Sequence, residues 1–242
     1  MKTFLKILLV IFIANILTIG LCNEGTKPAA CDSWLGKLFN ACNENPELTK
    51  AIKENPSLLD TWKLAYDKGV ADVLIKNPNF LKHYDKLNSN SSLKKHVFDG
   101  EINKKKNSVK GGHFDKAFDG KNFRLGDGTT DLSKLPTNSK GVRKIDKSIG
   151  VQKKKILEDS QGNITGERWL NKSIDPAGGH TLFPEGWSKD KIIEEVSSAF
   201  ANPQKSNWNN KSNGFKAKSN SGVEIGWFAN SDGVITTFFP IF

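Results

Sequence analysis

The stretch that decides the fold is residues 222–239, which reads Gly-Val-Glu-Ile-Gly-Trp-Phe-Ala-Asn-Ser-Asp-Gly-Val-Ile-Thr-Thr-Phe-Phe. Val223, Ile225 and Trp227 alternate with other residues, and a period of two is typical of a strand with one buried face. Residues 230–233, Asn-Ser-Asp-Gly, are a turn signal, and a second apolar run over 234–239 follows it. The pattern predicts an antiparallel β-hairpin at the end of the sequence.

A second hairpin is predicted upstream, with strands over 151–157 and 166–170 joined by a turn at 159–163. The segment 120–139 is rich in Gly, Thr, Asn and Lys and has little apolar content, so we predict a surface excursion there. Antiparallel strands therefore dominate this part of the chain.

One helix is predicted between the two hairpins. Ser188 is a suitable N-cap, Asp190 lies in the first turn, and Asn202-Pro203 marks the end. Its apolar face consists of Ile192, Val196, Ala199 and Phe200. Strands and helices in separate runs predict the α+β fold class.

The residues before this region predict a small helical domain. Apolar residues recur at helical spacing over 32–87, and Asn-Pro occurs at 45–46, 55–56 and 77–78, where Asn can cap a helix and Pro fits its first turn. The polar stretch 88–92, Asn-Ser-Asn-Ser-Ser, is the predicted linker. We thus expect a signal peptide over 1–22, a helical domain over 23–90 and a second domain over 91–242.

Residues 1–22 have the layout of a secretory signal peptide, with Lys2 and Lys6 before an apolar run. The alternative is a membrane anchor, because the apolar stretch approaches spanning length. Cleavage is favoured because polar residues follow, and it predicts a secreted protein. Secretion would leave Cys31 and Cys42, which could form one disulfide in an oxidising compartment or stay as two buried thiols.

The positive charge is concentrated in one part of the chain. Residues 91–160 carry 17 Lys or Arg and 9 Asp or Glu, an excess of +8, while the whole chain has a net charge of +10 of which two come from Lys2 and Lys6. A basic zone of this kind favours a polyanionic partner such as nucleic acid, although a solvated lysine-rich surface would look the same.

Three of the four histidines, His96, His113 and His180, fall in the second domain. Two imidazoles can cleave RNA without a metal, because one can accept the proton of a 2′-hydroxyl while the other protonates the departing 5′-oxygen. A fixed lysine can offset the charge that develops on the phosphorus oxygens. Taken alone, two histidines in a lysine-rich domain are unspecific.

Four sequence segments that follow one another along the chain make this set of histidines and lysine specific. They are Lys-His-Val-Phe-Asp-Gly-Glu-Ile (95–102), Lys-Gly-Gly-His (110–113), Leu-Phe-Pro-Glu-Gly-Trp-Ser (182–188) and Gly-Val-Ile-Thr-Thr-Phe-Phe-Pro (233–240). Together they resemble the bacterial EndoU nuclease domain, which often ends polymorphic and contact-dependent toxins, and the last is also similar to the coronavirus uridylate-specific endoribonuclease. The resemblance covers 93–242 and implies an EndoU-like domain of two antiparallel sheets flanked by helices.

The resemblance implies a catalytic set of His96, His113 and Lys172. We assign His113 as the acid and His96 as the base, with the reverse left open. The family lysine matches Lys172 best, and the alternatives are Lys153, Lys154 and Lys155 because residues 175–180 look like an insertion before Thr181. His180 lies in that insertion, so we expect a loop residue near the site.

The resemblance also implies three substrate-binding residues: Thr181, Thr237 and Phe239. Thr237 matches the threonine of the family's Thr-x-Tyr-Pro ending, where Phe239 replaces tyrosine, so that base stacking is kept and a hydroxyl is lost. Thr181 contacts the base or phosphate, or it packs as a strand residue.

The expected function is a secreted endoribonuclease that cleaves near uridines to give 2′,3′-cyclic phosphate and 5′-hydroxyl ends, acting as a toxin or in defence. No cofactor is required, although manganese stimulates some relatives. The expected partners are an RNA substrate and an immunity protein, with a monomeric chain and no stable membrane association. The rival hypothesis is a secreted, non-catalytic module that binds RNA or another polyanion.

Overall fold

The computed structural model describes residues 34–56, 58–67, 78–103, 107–174, 179–202, 204, 206–207, 213–232 and 234–242. The predicted signal peptide and Cys31 lie outside these ranges, and Cys42 is a buried free thiol. The chain divides into two compact units at Lys86 and Leu87. Within the described ranges, no helix combines the length and apolar character needed to cross a membrane.

The first unit is helical. Its helices are α1 (Trp34–Glu44), α2 (Pro46–Glu54), α3 (Leu58–Asp67) and α4 (Pro78–Ser89), the last of which runs across the division. The Asn-Pro signal acts as predicted at α2, because the side chain of Asn45 accepts hydrogen bonds from the backbone of Glu47 and Leu48 and Pro46 opens the helix. Trp62 is fully buried, and its indole N–H donates to the carbonyl of Trp34 over 3.1 Å.

The predicted linker at 88–92 is helical instead of irregular. Helix α4 continues to Ser89, and α5 (Ser91–Lys94) begins directly after Asn90. The reason is that Asn90 caps α5, with its side-chain oxygen accepting from the backbone of Leu93 over 2.9 Å. A polar run of Asn and Ser is therefore a helix boundary here.

The second unit is built mainly from antiparallel strands. The strands are β1 (Glu101–Asn103), β2 (Ser108–Lys110), β3 (Phe123–Leu125), β4 (Arg143–Ile145), β5 (Val151–Glu158), β6 (Ile164–Asn171), β7 (His180–Leu182), β8 (Ser206–Asn207), β9 (Gly214–Lys218), β10 (Glu224–Ala229) and β11 (Ile235–Pro240). The two larger sheets have the strand orders β3-β5-β6 and β11-β10-β9-β8, and two two-stranded sheets, β1-β2 and β4-β7, are added to them. The predicted α+β class is confirmed.

Both predicted hairpins form. Strands β10 and β11 pair so that Trp227 lies opposite Phe238, and β5 and β6 pair along nearly their whole length. The predicted helix is α6 (Lys189–Ala201), and the hydroxyl of Ser188 caps it by accepting from the backbone of Lys191 over 3.0 Å. Phe200 of α6 packs against Trp227 with ring centroids 4.5 Å apart, which joins the helix to the larger sheet.

The predicted surface excursion at 120–139 is wrong in part, since this segment contributes to the core. Phe123 is fully buried, and Leu125 and Leu135 are nearly so. Phe123 and Leu125 belong to β3, which pairs with β5. All three residues pack into one hydrophobic cluster with residues that are distant in sequence, such as Ile145 and Leu182. The polar composition of the segment concealed these long-range contacts.

Candidate active site

The sequence-predicted site residues meet in one cleft of the second unit, with a volume of about 880 Å³. Two short strands, β2 and β7, and the last strand, β11, contribute to its walls. The six predicted residues all line it: His96, His113, Lys172, Thr181, Thr237 and Phe239.

His96 lies in a π-helical turn, Lys95–Asp99, that continues α5. The turn is bound to the segment after β2, because the backbone N–H of Gly112 donates to the carbonyl of His96 and that of His113 donates to the carbonyl of Val97, over 3.1 and 2.7 Å. These two bonds hold the backbones of both histidines side by side. The ring of His96 is 17% exposed, and its Nδ1 lies 3.2 Å from a carboxylate oxygen of Glu101.

His113 follows two glycines whose φ angles are +65° at Gly111 and +78° at Gly112. Its Nδ1 lies 2.7 Å from the carbonyl oxygen of Thr181, and its own carbonyl accepts from the backbone of Phe183 over 3.0 Å. The ring is thus fixed from β7, a strand far away in sequence. This contact decides the tautomer of the ring.

A carbonyl oxygen can only accept, so Nδ1 of His113 carries the hydrogen and Nε2 carries the lone pair when the ring is neutral. Burial lowers the pKa of His113 to about 3, and the positive charges of Lys172 and His96 act in the same direction, while the bond to Thr181 opposes them. The ring is therefore neutral near pH 7. An imidazole in this state can accept a proton at Nε2.

Lys172 follows the last residue of β6, and its ammonium group donates to the carbonyl of Gly111 over 2.9 Å. Burial lowers the pKa of Lys172 to about 8, so the side chain is charged at neutral pH. The lysine is therefore a fixed cation beside the segment that carries His113.

The alternative lysines have partners elsewhere and are absent from the described lining of the cleft. Lys153 donates to the carbonyl of Asp99, Lys154 to Glu167 and Lys155 to Asn107. Of the four candidates, Lys172 is the one that the structure brings to the histidines.

His180 is a buried strand residue of β7, and the expectation of a loop position is wrong. Its ring lies 4.6 Å from the ring of His113, centroid to centroid, and its Nε2 lies 2.8 Å from the carbonyl of Gly112. Burial lowers the pKa of His180 well below its usual value, with the charges of His113 and Lys172 acting in the same direction. The neutral ring of His180 therefore forms part of the cleft wall behind His113. His180 is not a loop residue because strand β7 begins at this position.

The three substrate-binding candidates, Thr181, Thr237 and Phe239, make different contacts. The Thr181 hydroxyl is buried and donates to the carbonyl of Pro240 over 2.5 Å, so the predicted strand-packing alternative describes this side chain. Phe239 stacks near His113 with ring centroids 5.6 Å apart. Thr237 lies in β11 opposite Phe228, which also lines the cleft.

Four polar residues for which the sequence predicted no role also line the cleft. Lys110 and Lys144 add two cationic side chains to the cleft wall, and Ser108 and Ser173 add hydroxyls. Glu101 was part of the first motif, but no role was predicted for it. Its place five residues after His96, directly after a Gly that reverses the chain, was the signal that could have identified it.

The short distance between the backbone of His96 and the segment that carries His113 gives a testable prediction. A Cβ at Gly111 would lie 1.8 Å from the carbonyl oxygen of His96, whereas a Cβ at Gly162, which also has a positive φ, would have no atom within 4 Å. We expect Gly162→Ala to cost about 1 kcal/mol of unfolding free energy through backbone strain, and Gly111→Ala clearly more. Urea denaturation of both variants measures the difference, and equal destabilisation would contradict the close approach.

Within the described residues, no group of three or more His, Cys, Asp or Glu side chains is arranged to hold a metal ion. No curated protein and no solved structure matches the chain. A family model, bacterial EndoU nuclease, matches residues 90–242, which include the whole cleft. Since the match extends over more than half of the sequence, the chain belongs to the bacterial EndoU nuclease family.

Proposed function

We propose that this nuclease is an endoribonuclease that cleaves RNA by attack of a 2′-hydroxyl on the adjacent phosphodiester. The observation that carries the proposal is the convergence of His96, His113 and Lys172 on one cleft, with His113 neutral and its Nε2 lone pair available. This set supplies what the reaction needs: a base, a second imidazole and a fixed cation.

In the proposed reaction, Nε2 of His113 takes the proton of the 2′-hydroxyl, and the 2′-oxygen forms a bond to phosphorus. The bond from phosphorus to the 5′-oxygen breaks, and His96 donates a proton to that oxygen. The products are a 2′,3′-cyclic phosphate and a 5′-hydroxyl end. These roles are the reverse of those assigned from the sequence, because burial keeps the His113 ring neutral and the carbonyl of Thr181 holds the hydrogen on Nδ1, which leaves the Nε2 lone pair to accept a proton.

Two further groups support the proposed chemistry. The Lys172 ammonium group stabilises the negative charge on the non-bridging oxygens as phosphorus becomes five-coordinate. Glu101 accepts a hydrogen bond from Nδ1–H of His96, which leaves Nε2 as the nitrogen that exchanges its proton with the substrate. The proposed steps use the side chains of the cleft alone, and manganese stimulation stays a prediction.

Two residues of the cleft support a uridine at the cleavage position. Phe239 and Thr237 lie in the cleft, where the aromatic face can stack on a base and the hydroxyl can contact its edge. Phe239 lacks the hydroxyl of the family's tyrosine, so we propose a preference for uridine that is not strict. Secretion is supported by residues 1–22 and a toxin role with an immunity partner by the family, while the monomeric state stays a prediction.

The test uses a DNA oligonucleotide with one ribouridine, incubated with the protein in EDTA. We expect a single cut directly after the ribouridine, with a cyclic phosphate end, because the reaction needs one 2′-hydroxyl and no metal. The same oligonucleotide with deoxyuridine is the control and should stay intact. Cleavage of the deoxy control, or dependence on added metal, would refute the proposed mechanism.

The second candidate function is a non-catalytic RNA-binding module, favoured by the excess of basic residues over 91–160. It predicts tight binding of the ribouridine oligonucleotide without any cut, with or without manganese.

A further inference from the structure

Two basic residues of the second unit lie directly opposite each other across a strand pair. Lys155 of β5 is the register partner of Arg168 of β6. Like charges in this position repel each other and destabilise a sheet, in contrast to opposite charges. The pair lies in the middle of the β5–β6 hairpin, most of whose residues are exposed or half-buried.

Both cations converge on one neutral acceptor. The Asn107 side-chain oxygen accepts from the Lys155 ammonium group over 3.3 Å and from the Arg168 guanidinium over 2.8 Å. Among the residues that the structure describes, neither cation has a carboxylate within salt-bridge distance. The neighbouring Lys154, on the opposite face of the sheet, donates to the carboxylate of Glu167 over 2.7 Å.

An amide oxygen satisfies hydrogen bonds but does not neutralise charge. Two cations held together by it form an anion site, and a guanidinium matches the geometry of a phosphate with paired N–H donors. The amide nitrogen of Asn107 adds donors to the same place. Arg168 and Asn107 are exposed, so a large anion can reach them.

The pair is close to the catalytic cleft. Asn107 directly precedes Ser108, the first cleft-lining residue of β2. Lys172 lies four residues after Arg168 along the chain (172 − 168), directly after the end of β6. At the rise of a β-strand this separation is about 13 Å, within reach of a short single strand that leaves the cleft.

We propose that Lys155, Arg168 and Asn107 form a backbone subsite that binds a phosphodiester of single-stranded RNA flanking the cleavage position. The proposal rests on the proposed function, since it assigns the surface along which that substrate continues. The subsite contributes to binding of longer RNA and takes no part in the bond-breaking step.

The test compares Lys155→Gln and Arg168→Gln with the matched control Lys154→Gln, which removes the same charge from the same sheet on its other face. Each is assayed on a uridine dinucleotide with a single phosphodiester and on an oligonucleotide of several nucleotides on either side. We expect Lys155→Gln and Arg168→Gln to lower kcat/KM for the oligonucleotide roughly tenfold, and the slope of log affinity against log salt to become shallower by about 0.7 for each phosphate that the variant no longer neutralises. The dinucleotide should be cleaved as by the unmodified protein.

Two further measurements separate this subsite from the catalytic proposal. Binding of the all-deoxy oligonucleotide, which has phosphates but no 2′-hydroxyl, should weaken in the same two variants, even if no substrate is cleaved. The thermal midpoint should not fall in Lys155→Gln, because a repulsive pair is removed. The inference is overturned if the control variant has the same effect, or if both substrates lose activity equally, or if deoxy binding is unchanged.

Discussion

His113→Ala is expected to lower kcat/KM for RNA cleavage on the order of 10³-fold, because it removes the proposed base. The substitution removes a ring that lines the cleft and contacts His180 and Phe239, so its effect on folding has to be measured by thermal unfolding alongside activity. His83→Ala is the matched control, since it removes an imidazole from the first unit. Loss of activity in a folded His113→Ala variant, with His83→Ala unaffected, is the expected pair of results.

The state of the His113 ring can be measured directly by NMR titration of its carbon-bound protons. The pKa of the ring is lowered from the usual 6.5 to about 3, so the ring stays neutral as the pH falls from 7 to 5. In the same window the unfolded chain takes up a proton at this position, and this contribution lowers the stability of the folded state progressively below pH 6.5. A ring that titrates near pH 6.5 would contradict the effect of burial on His113, whereas activity that survives in the folded alanine variant would remove His113 from the role of base.

The fold was predictable where a repeating pattern meets a turn or cap signal. The hairpin at 222–239 has alternating apolar residues around an Asn-Ser-Asp-Gly turn, and the helix after Ser188 has a cap and one apolar face. These features are local, so a few neighbouring residues encode them. The segment 120–139 lacked such a pattern, and the burial of Phe123 depends on pairing with β5, which no local signal reveals.

The candidate site was predictable as a set of residues but not as a set of roles. The motifs contain His96 and His113, and the family resemblance identified Lys172 as the best of four candidate lysines. The proposed roles of the histidines, in contrast, depend on the carbonyl of Thr181, 68 residues from His113 along the chain. The place of His180 behind His113 has the same origin, since its partner is the carbonyl of Gly112. Backbone carbonyls are the same in every residue type, and the sequence therefore cannot indicate which one a histidine will meet.

Lys172 gives the second large expected effect. Lys172→Ala should lower kcat on the order of 10²-fold, because it removes the fixed charge that stabilises the five-coordinate phosphorus. Lys154→Ala is the matched control, since Lys154 was an alternative candidate in the neighbouring strand and pairs with Glu167 outside the cleft. Equal effects of the two substitutions would mean that general positive charge, and not Lys172, supports the reaction.

The pH dependence distinguishes Lys172 from other cations in the cleft. Burial lowers its pKa to about 8, so the ammonium group is charged below that pH and loses its proton above it. We expect activity to fall as the pH rises through about 8, and the fall to move to higher pH in Lys172→Arg, because a guanidinium stays protonated throughout this range. Arginine is longer and has a different shape, so the variant is expected to be slower at about pH 7 and yet to decline less steeply at high pH. If the decline near pH 8 is unchanged in Lys172→Arg, then another group titrates there, and the charge of Lys172 is not what limits the reaction.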